Sequence, residues 1–290
     1  MTPLSILLAT AALAPLFAPR PARAGARAAV TYGRGTMSFA LATGSPGELG
    51  LVGLLGEAFS RRCGAALGWV KAGTGEALAL LKAREVDMAM VHAPARVDRA
   101  VREGWAVKKT LIGSNEFFIV GPPADPAGIG TAGSAIQAYR NIAQAQARTS
   151  VKFFSRGDDS GTHQKEMAVW KAAGITPSGP WYIAARDFMT AVLRRAEAEG
   201  GYFMTDSSTW VAEKRNLPGL KILFSGDAML VNIYHALALP EGATPGAGTA
   251  AAFIDFVASG EGQDIIRNFG RAEHGEPIYN DAEYAGTFGG

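Results

Sequence analysis

Short apolar runs alternate with amphipathic helical patterns along this chain, and this alternation limits its fold more than any other feature. The run "MSFALATG" is typical of a strand that ends at glycine. Five apolar residues after it recur at the spacing of one helix face and are predicted to pack on the sheet: Leu51, Leu54, Leu55, Ala58 and Phe59. A strand pattern followed by a helix pattern occurs again in "ALGWVKAGTG" and "EALALLKAREV", and in "VKFF" and "THQKEMAVWKAAGI". The pattern predicts an α/β protein with mostly parallel sheets flanked by helices.

The chain of 290 residues is longer than one hydrophobic core usually fills, so we expect two lobes. Two predicted strands, near residues 115–120 and 229–237, are the natural crossings between them. We therefore assign residues 25–115 and 233–290 to lobe one and residues 116–232 to lobe two. A ligand is then expected in the cleft between the lobes, where domain interfaces commonly place binding sites.

The first 24 residues have the pattern of a secretory signal peptide. An apolar stretch from Leu4 to Phe17 is followed by Ala22-Arg23-Ala24, a small-x-small sequence that signal peptidase accepts. The apolar stretch is shorter than the roughly 20 residues of a membrane-spanning helix. We expect cleavage after Ala24 and a periplasmic mature protein.

Charge and side-chain chemistry disfavour several classes of partner. Lys and Arg number 28 against 26 Asp and Glu, and the predicted leader holds two of the arginines and no acid. A mature chain without charge excess offers little to a nucleic acid backbone. The single cysteine, Cys63, excludes an intrachain disulfide, and the scattered histidines show no metal-binding spacing. We predict no metal, no cofactor and no nucleic acid partner.

Three loops between a strand and a helix could carry chemistry: "ATGSPGELG", "KAGTGEAL" and "SRGDDSGTH". Each places glycine and hydroxyl residues just before a helix, where backbone N–H groups lack partners and the helix dipole is positive. Such an end favours an anion. Taken alone, each loop is better explained as a well-capped helix start.

The third loop has the stronger signal, because Arg156 ends its strand and Ser160, Gly161 and Thr162 follow closely. A guanidinium can hold an oxyanion with two hydrogen bonds while amides at the helix start take the other oxygens. Asp158 could orient Arg156 or accept a proton from the ligand.

The sequence also resembles the periplasmic tungstate-binding proteins. The resemblance is carried by "SRGDDSGTH" with "QKEMAVWKAAGI", and by "AGTGEALALLKAREVDMAMVHAP", "FFIVGPPADPAGI", "WYI", "GYFMTD" and "FIDFVASGEGQDIIRNF" in the same order. It implies a two-lobed type II periplasmic binding protein fold that closes on a small oxyanion. It further implies that Arg156, Ser160, Gly161 and Thr162 contact the ligand from lobe two and that Thr74 contacts it from lobe one.

Two stretches depart from the family pattern. The first loop lacks the family's threonine-rich run, although Thr43 and Ser45 remain as donors. Phe188 and Met189 stand where the family has glycines and small residues. A bulky side chain there could narrow the cleft or stack on a flat ligand, which keeps a small organic anion open as an alternative to tungstate or molybdate.

A secreted hydrolase that uses Ser160 with His163 is a third possibility. However, "GDDSG" does not match the G-x-S-x-G nucleophile elbow, because its serine is fourth instead of third. We therefore predict no catalytic residues. The sequence favours a monomeric receptor that delivers an oxyanion to an ABC permease in the membrane.

Overall fold

The computed structural model describes residues 27–288 of the chain, and the predicted signal peptide, residues 1–24, lies outside them. The described residues form ten strands: β1 (Val30–Tyr32), β2 (Met37–Thr43), β3 (Ala65–Lys71), β4 (Met88–Val91), β5 (Val107–Gly121), β6 (Phe153–Ser155), β7 (Tyr182–Ala184), β8 (Tyr202–Asp206), β9 (Lys221–Phe224) and β10 (Val231–Ala238). They also form twelve α-helices: α1 (Ser45–Glu48), α2 (Leu51–Cys63), α3 (Thr74–Lys82), α4 (Pro94–Arg102), α5 (Ala135–Ala145), α6 (Gly161–Ala172), α7 (Met189–Glu199), α8 (Ser207–Glu213), α9 (Ala247–Ala258), α10 (Gly260–Asn268), α11 (Arg271–His274) and α12 (Ala282–Gly286).

The strands pair in the order β1-β3-β2-β4-β10-β5-β8-β6-β7, with β9 added to β5. Parallel pairs form the middle of each lobe, where β2 pairs with β3 and β4, and β6 pairs with β7 and β8. Antiparallel pairs occur at the edge strand β1 and around β5 and β10. The α/β fold predicted from the alternation is confirmed.

Strand β5 joins the lobes and is longer than the sequence pattern indicated. Its first part, as far as Glu116, pairs with β10, and from Phe117 onward it pairs with β8. The chain comes back beside this crossing at Val231, the first residue of β10, which lies opposite Glu116. Two adjacent strands therefore connect the lobes.

Three clusters of buried apolar side chains stabilise the sheet. One fills lobe two and includes Phe117, Trp170 and Tyr202. The other two cover opposite faces of the sheet in lobe one, since consecutive residues of β2 alternate between them: Leu41 packs in one and Ala42 in the other. One prediction for α2 is wrong, because Leu54 is 52% exposed. The buried stripe of α2 is narrower than its apolar pattern suggested.

The fold brings the ends of several strands to one place. Because β2, β3 and β4 run parallel, their carboxyl ends meet at one edge of the sheet. Helices α1, α3 and α4 begin at that edge, and α6 begins after β6 in lobe two. Open α/β sheets bind ligands at such edges. Among residues 27–288, none of the helices has both the length and the apolar character that a membrane crossing requires.

Candidate functional site

A small pocket lies between the lobes, at the edge where β2, β3, β4 and β6 end. Lobe one lines it with Thr43, Gly44, Ser45, Pro46, Gly73, Thr74, Met90, His92 and Tyr234. Lobe two lines it with Arg156, Ser160 and Phe188. The centre of a water molecule can occupy about 10 Å³ of the pocket, close to the smallest space that holds one water. The lobes are closed on each other, and the pocket suits a compact guest.

The first loop places two hydroxyl groups at the pocket wall. Thr43 ends β2, and its hydroxyl donates a hydrogen bond to the carbonyl oxygen of Met90 at 2.8 Å. Ser45 begins α1, and its hydroxyl lies 3.5 Å from a carboxylate oxygen of Asp206 across the cleft. Pro46 fits the first turn of this helix because its missing N–H would have no partner there. Both hydroxyls are thus held in place by groups of the protein.

The second loop places the start of α3 at the pocket. Gly73 caps the helix with an extended backbone, and Thr74, its first residue, is buried. The first amides of a helix lack partners within it, and the dipole gives that end partial positive charge. Because Gly73 and Thr74 both line the pocket, this positive end borders it.

Arg156 supplies the full positive charge of the pocket. Only 4% of the residue is exposed, and its Nη2 donates to Oδ2 of Asp158 at 2.5 Å. Its Nε has no hydrogen-bond partner among residues 27–288. A buried N–H without a partner costs free energy, so this group is suited to a guest with oxygen acceptors.

The loop after Arg156 caps α6 and supports the guanidinium at once. Ser160 lines the pocket, and its hydroxyl accepts from the backbone N–H of His163 at 3.2 Å. The backbone N–H of Ser160 donates to Oδ1 of Asp158 at 3.1 Å. Asp158 therefore bridges the guanidinium and the start of the helix.

Asp158, Gly161 and Thr162, also predicted from the sequence, lie beside the pocket instead of on its wall. Asp158 contacts Arg156, as described above. Gly161 packs against the ring of His92, so closely that a Cβ at this glycine would lie 2.4 Å from Cε1 of the imidazole. Thr162 is buried in the first turn of α6. The remaining five predicted residues, Thr43, Ser45, Thr74, Arg156 and Ser160, are brought together around one space.

His92 and Tyr234 are pocket residues that the sequence analysis missed. His92 follows β4, and its ring lies 5.0 Å from that of Tyr234. Burial, and after it the positive charge of Arg156, lowers the pKa of His92 to about 3, so the imidazole is neutral at pH 7. A polar residue at the end of an otherwise apolar strand, in "VDMAMVHAP", was the available signal, because β4 ends beside β2.

A buried carboxylate lies behind the first loop. Asp206 ends β8 and accepts hydrogen bonds from the hydroxyl of Ser208, from the backbone N–H of Thr209 at 2.7 Å and from the hydroxyl of Thr209 at 3.1 Å. Burial raises the pKa of this carboxyl. Its contact with Ser45 connects the first loop of lobe one to the crossing region of lobe two.

The geometry around Ser160 does not form a nucleophile–base pair within the described residues. The Ser160 hydroxyl accepts from the backbone of His163, and Nδ1 of His163 accepts from the backbone N–H of Asp159 at 3.1 Å. A nucleophilic serine needs the imidazole itself within hydrogen-bond reach. Residues 27–288 also contain no group of three or more His, Cys, Asp or Glu placed to hold a metal ion.

Comparisons with known proteins identify the family of this chain. The family model of the PBP superfamily domain matches residues 23–261. The tungstate-binding protein TupA of Peptoclostridium acidaminophilum is 32% identical, over 86% of this chain and 86% of that protein. The crystal structure of the tungstate ABC transporter from Geobacter sulfurreducens is 35% identical, covers 81% of this chain and 100% of that chain, and has a TM-score of 0.72. The structure of TupA from Desulfovibrio alaskensis is 32% identical, covers 85% of this chain and 99% of that chain, and has a TM-score of 0.69.

Proposed function

The chain belongs to the PBP superfamily, among the TupA-like periplasmic binding proteins, and from this premise we propose the function of its pocket. The protein is a substrate-binding receptor for oxyanion import by an ABC transporter. Its cargo is a tetrahedral oxyanion, with tungstate and molybdate as the first candidates. The ligand binds between the two lobes.

One observation carries this proposal: a buried guanidinium, that of Arg156, lines a closed pocket between the lobes. A buried positive charge is costly unless an anion compensates it. Asp158 satisfies only part of the hydrogen-bonding capacity of the Arg156 guanidinium, because its Nε has no partner among the described residues. An oxyanion supplies the missing acceptor.

The remainder of the pocket supports a compact anion. The starts of α3 and α6 both border it, through Thr74 and Ser160, and add partial positive charge. The pocket is small, so it suits a compact tetrahedral anion better than the flat organic anion considered from the sequence. His92 is neutral and does not add a second full charge.

The mechanism is hinged closure without covalent chemistry. A ligand that contacts both lobes stabilises the closed state over the open one by its difference in affinity for the two. Closed receptor would then deliver the anion to the membrane permease. We further propose that residues 1–24 direct export to the periplasm and that the receptor acts as a monomer.

Calorimetry on an Arg156→Ala variant tests the site. Tungstate, molybdate, sulfate, phosphate and small organic acids form the panel. Loss of the guanidinium should weaken binding of the preferred oxyanion by about 30-fold or more, since truncating one partner of a buried charge pair costs at least about 2 kcal/mol. Arg194→Ala removes an exposed arginine that pairs with Glu213 outside the pocket and is the matched control.

The possible outcomes test the assignment of the site and the identity of the ligand independently. Equal affinity of wild type and Arg156→Ala would contradict the site. Binding of an organic acid alone would contradict the oxyanion and support the alternative cargo. Labelling of Ser160 by a serine-reactive phosphonate would instead support a hydrolase.

A further inference from the structure

Phe188 brings an aromatic ring to the pocket at a position where two positive charges meet. It is the last residue before α7 in lobe two, and its backbone N–H donates to Oδ1 of Asp187 at 2.7 Å. The guanidinium carbon of Arg156 lies 5.3 Å from the centre of the ring. The ammonium of Lys71 lies over the same ring at 4.0 Å.

Lys71 reaches this ring from the opposite lobe. It ends β3 in lobe one, where it is paired in register with Thr43 of the first loop. Its ammonium also binds Glu48 of α1 at 2.7 Å, and this ion pair directs the side chain toward the cleft. The contact between Lys71 and Phe188 therefore forms only when the lobes are together.

Phe188 is not needed to fill a core. It belongs to none of the three buried apolar clusters formed by residues 27–288, and it is half-buried at the cleft. An aromatic side chain that lines the pocket, covers its charged group and is not part of a core is better explained by a role in binding. Its neighbour Met189, by contrast, packs into the core of lobe two.

We propose that Phe188 determines both the residence time and the size selectivity of the bound anion, and that Lys71 holds its ring in place across the cleft. The inference rests on the proposed oxyanion-receptor function. The ring attracts the ammonium through its quadrupole, which favours the closed state. It also shields Arg156 from water, and lower local polarity strengthens the attraction of a guanidinium for an anion.

The ring has a second effect, on the choice of ligand. It has no hydrogen-bond donor for an anion, and it occupies the side of the pocket next to Arg156. A compact anion can take its donors from the loops of lobe one and from the start of α6. An anion with an organic substituent would collide with the ring.

The test is stopped-flow release of molybdate and tungstate from a set of variants. Phe188→Ala should release the anion about tenfold faster, and Phe188→Tyr should release it as wild type does. Phe188→Leu and Lys71→Met should each release it about fivefold faster, because each removes one partner of the same cation–π contact. The double variant should be no faster than Phe188→Leu alone, since Lys71→Met removes no further contact with the ring once the ring is gone. Glu48→Gln keeps the ammonium of Lys71 and is the control for loss of the ion pair between Lys71 and Glu48.

Benzoate binding to wild type and Phe188→Ala tests the size selectivity. Benzoate should bind measurably to Phe188→Ala and not to wild type. Release rates of Phe188→Ala, Phe188→Leu and Lys71→Met that all lie within twofold of wild type, or fully additive effects of Lys71→Met and Phe188→Leu, would overturn this inference alone. A wild-type protein that binds neither molybdate nor tungstate would overturn the proposed function and this inference with it.

Discussion

The guanidinium of Arg156 is paired with a carboxylate of its own loop, that of Asp158, and this pairing affects how the pocket binds an anion. Asp158 binds the guanidinium with one oxygen and the amide of Ser160 with the other. The positive side chain is therefore fixed in place before any ligand arrives. An incoming oxyanion finds a pre-oriented group, which lowers the entropic cost of binding.

Glu166 is a further buried acidic residue, on the helix that begins at the pocket. It lies in α6, where its carboxylate accepts hydrogen bonds from the indole of Trp170 at 3.1 Å and from the hydroxyl of Tyr182 at 2.7 Å. Burial raises the pKa of this carboxyl from the ordinary 4.5 to about 7. The folded state therefore holds the proton more tightly than the unfolded state does.

A Glu166→Gln variant should show the pH dependence that this group creates. The folded pKa is the higher one, so wild type is favoured by this group at low pH and loses stability as pH rises from about 4.5 to about 7. Relative to Glu166→Gln, wild type should lose about 2 to 3 kcal/mol of unfolding free energy across that window. Denaturant unfolding of both proteins at several pH values measures the difference.

The comparison with the variant is needed because His92 acts in the opposite direction. Its pKa falls on folding, so its contribution is lost as pH decreases. Glu241→Gln, at an exposed turn, is the control and should follow wild type at every pH. A difference between wild type and Glu166→Gln that does not change between pH 4.5 and 7 would show that the carboxyl is not buried as described.

At the scale of single elements, the start of α6 packs directly on lobe one. Gly161, its first residue, faces the imidazole of His92, and that ring is itself bounded by Tyr234 at 5.0 Å and Phe117 at 6.2 Å. These two neighbouring rings restrict the movement of the imidazole. The absence of a side chain at Gly161 is thus required by closure of the lobes and not by the backbone of the helix.

Gly161→Ala should hold the lobes apart. A Cβ at this position would lie 2.4 Å from the imidazole, whereas alanine suits the helix itself better than glycine. We expect molybdate affinity to fall at least tenfold while the melting temperature without ligand stays within about 2 °C of wild type. Calorimetry and thermal unfolding give the two numbers.

Gly248→Ala is the matched control, because this glycine in α9 has no atom within 4 Å of a new Cβ. His92→Ala introduced into Gly161→Ala should restore part of the affinity by removing the collision. Unchanged molybdate binding in Gly161→Ala would contradict the packing of α6 on lobe one.

The sequence predicted the helices and strands better than it predicted the residues that line the pocket. Apolar periodicity identified β2, α2 and α6, and the loops that follow β2, β3 and β6 reach the pocket. Met90 and Tyr234 could not be identified, because a residue in a buried strand has the same pattern whether it faces a core or a cleft. Helix α4 was not predicted from the sequence for a similar reason, since only Val97 and Ala100 of "PARVDRAVR" are buried and two residues do not mark a helix face.

At the scale of the whole molecule, an exposed ion pair outside the pocket also joins the two lobes. Arg96 in α4 of lobe one donates to both carboxylate oxygens of Asp159 in lobe two, at 2.9 and 2.8 Å. The two side chains are 37% and 65% exposed, so the ion pair is screened by salt and contributes modestly. Neither residue lines the pocket, so we expect the pair to affect binding through the balance of open and closed states.

Removal of this ion pair should therefore speed release without changing what is bound. We expect Arg96→Ala to dissociate molybdate about two- to fivefold faster in low salt and at the wild-type rate near 1 M salt, where the Debye length is only about 3 Å. Lys82→Ala is the matched control, because its exposed pair with Glu103 lies within lobe one. An effect of Arg96→Ala that is as large in high salt as in low salt would mean that Arg96 acts through packing. Equal rates in low salt would mean that the ion pair has no part in closure, and the contacts around the pocket itself would then hold the lobes together.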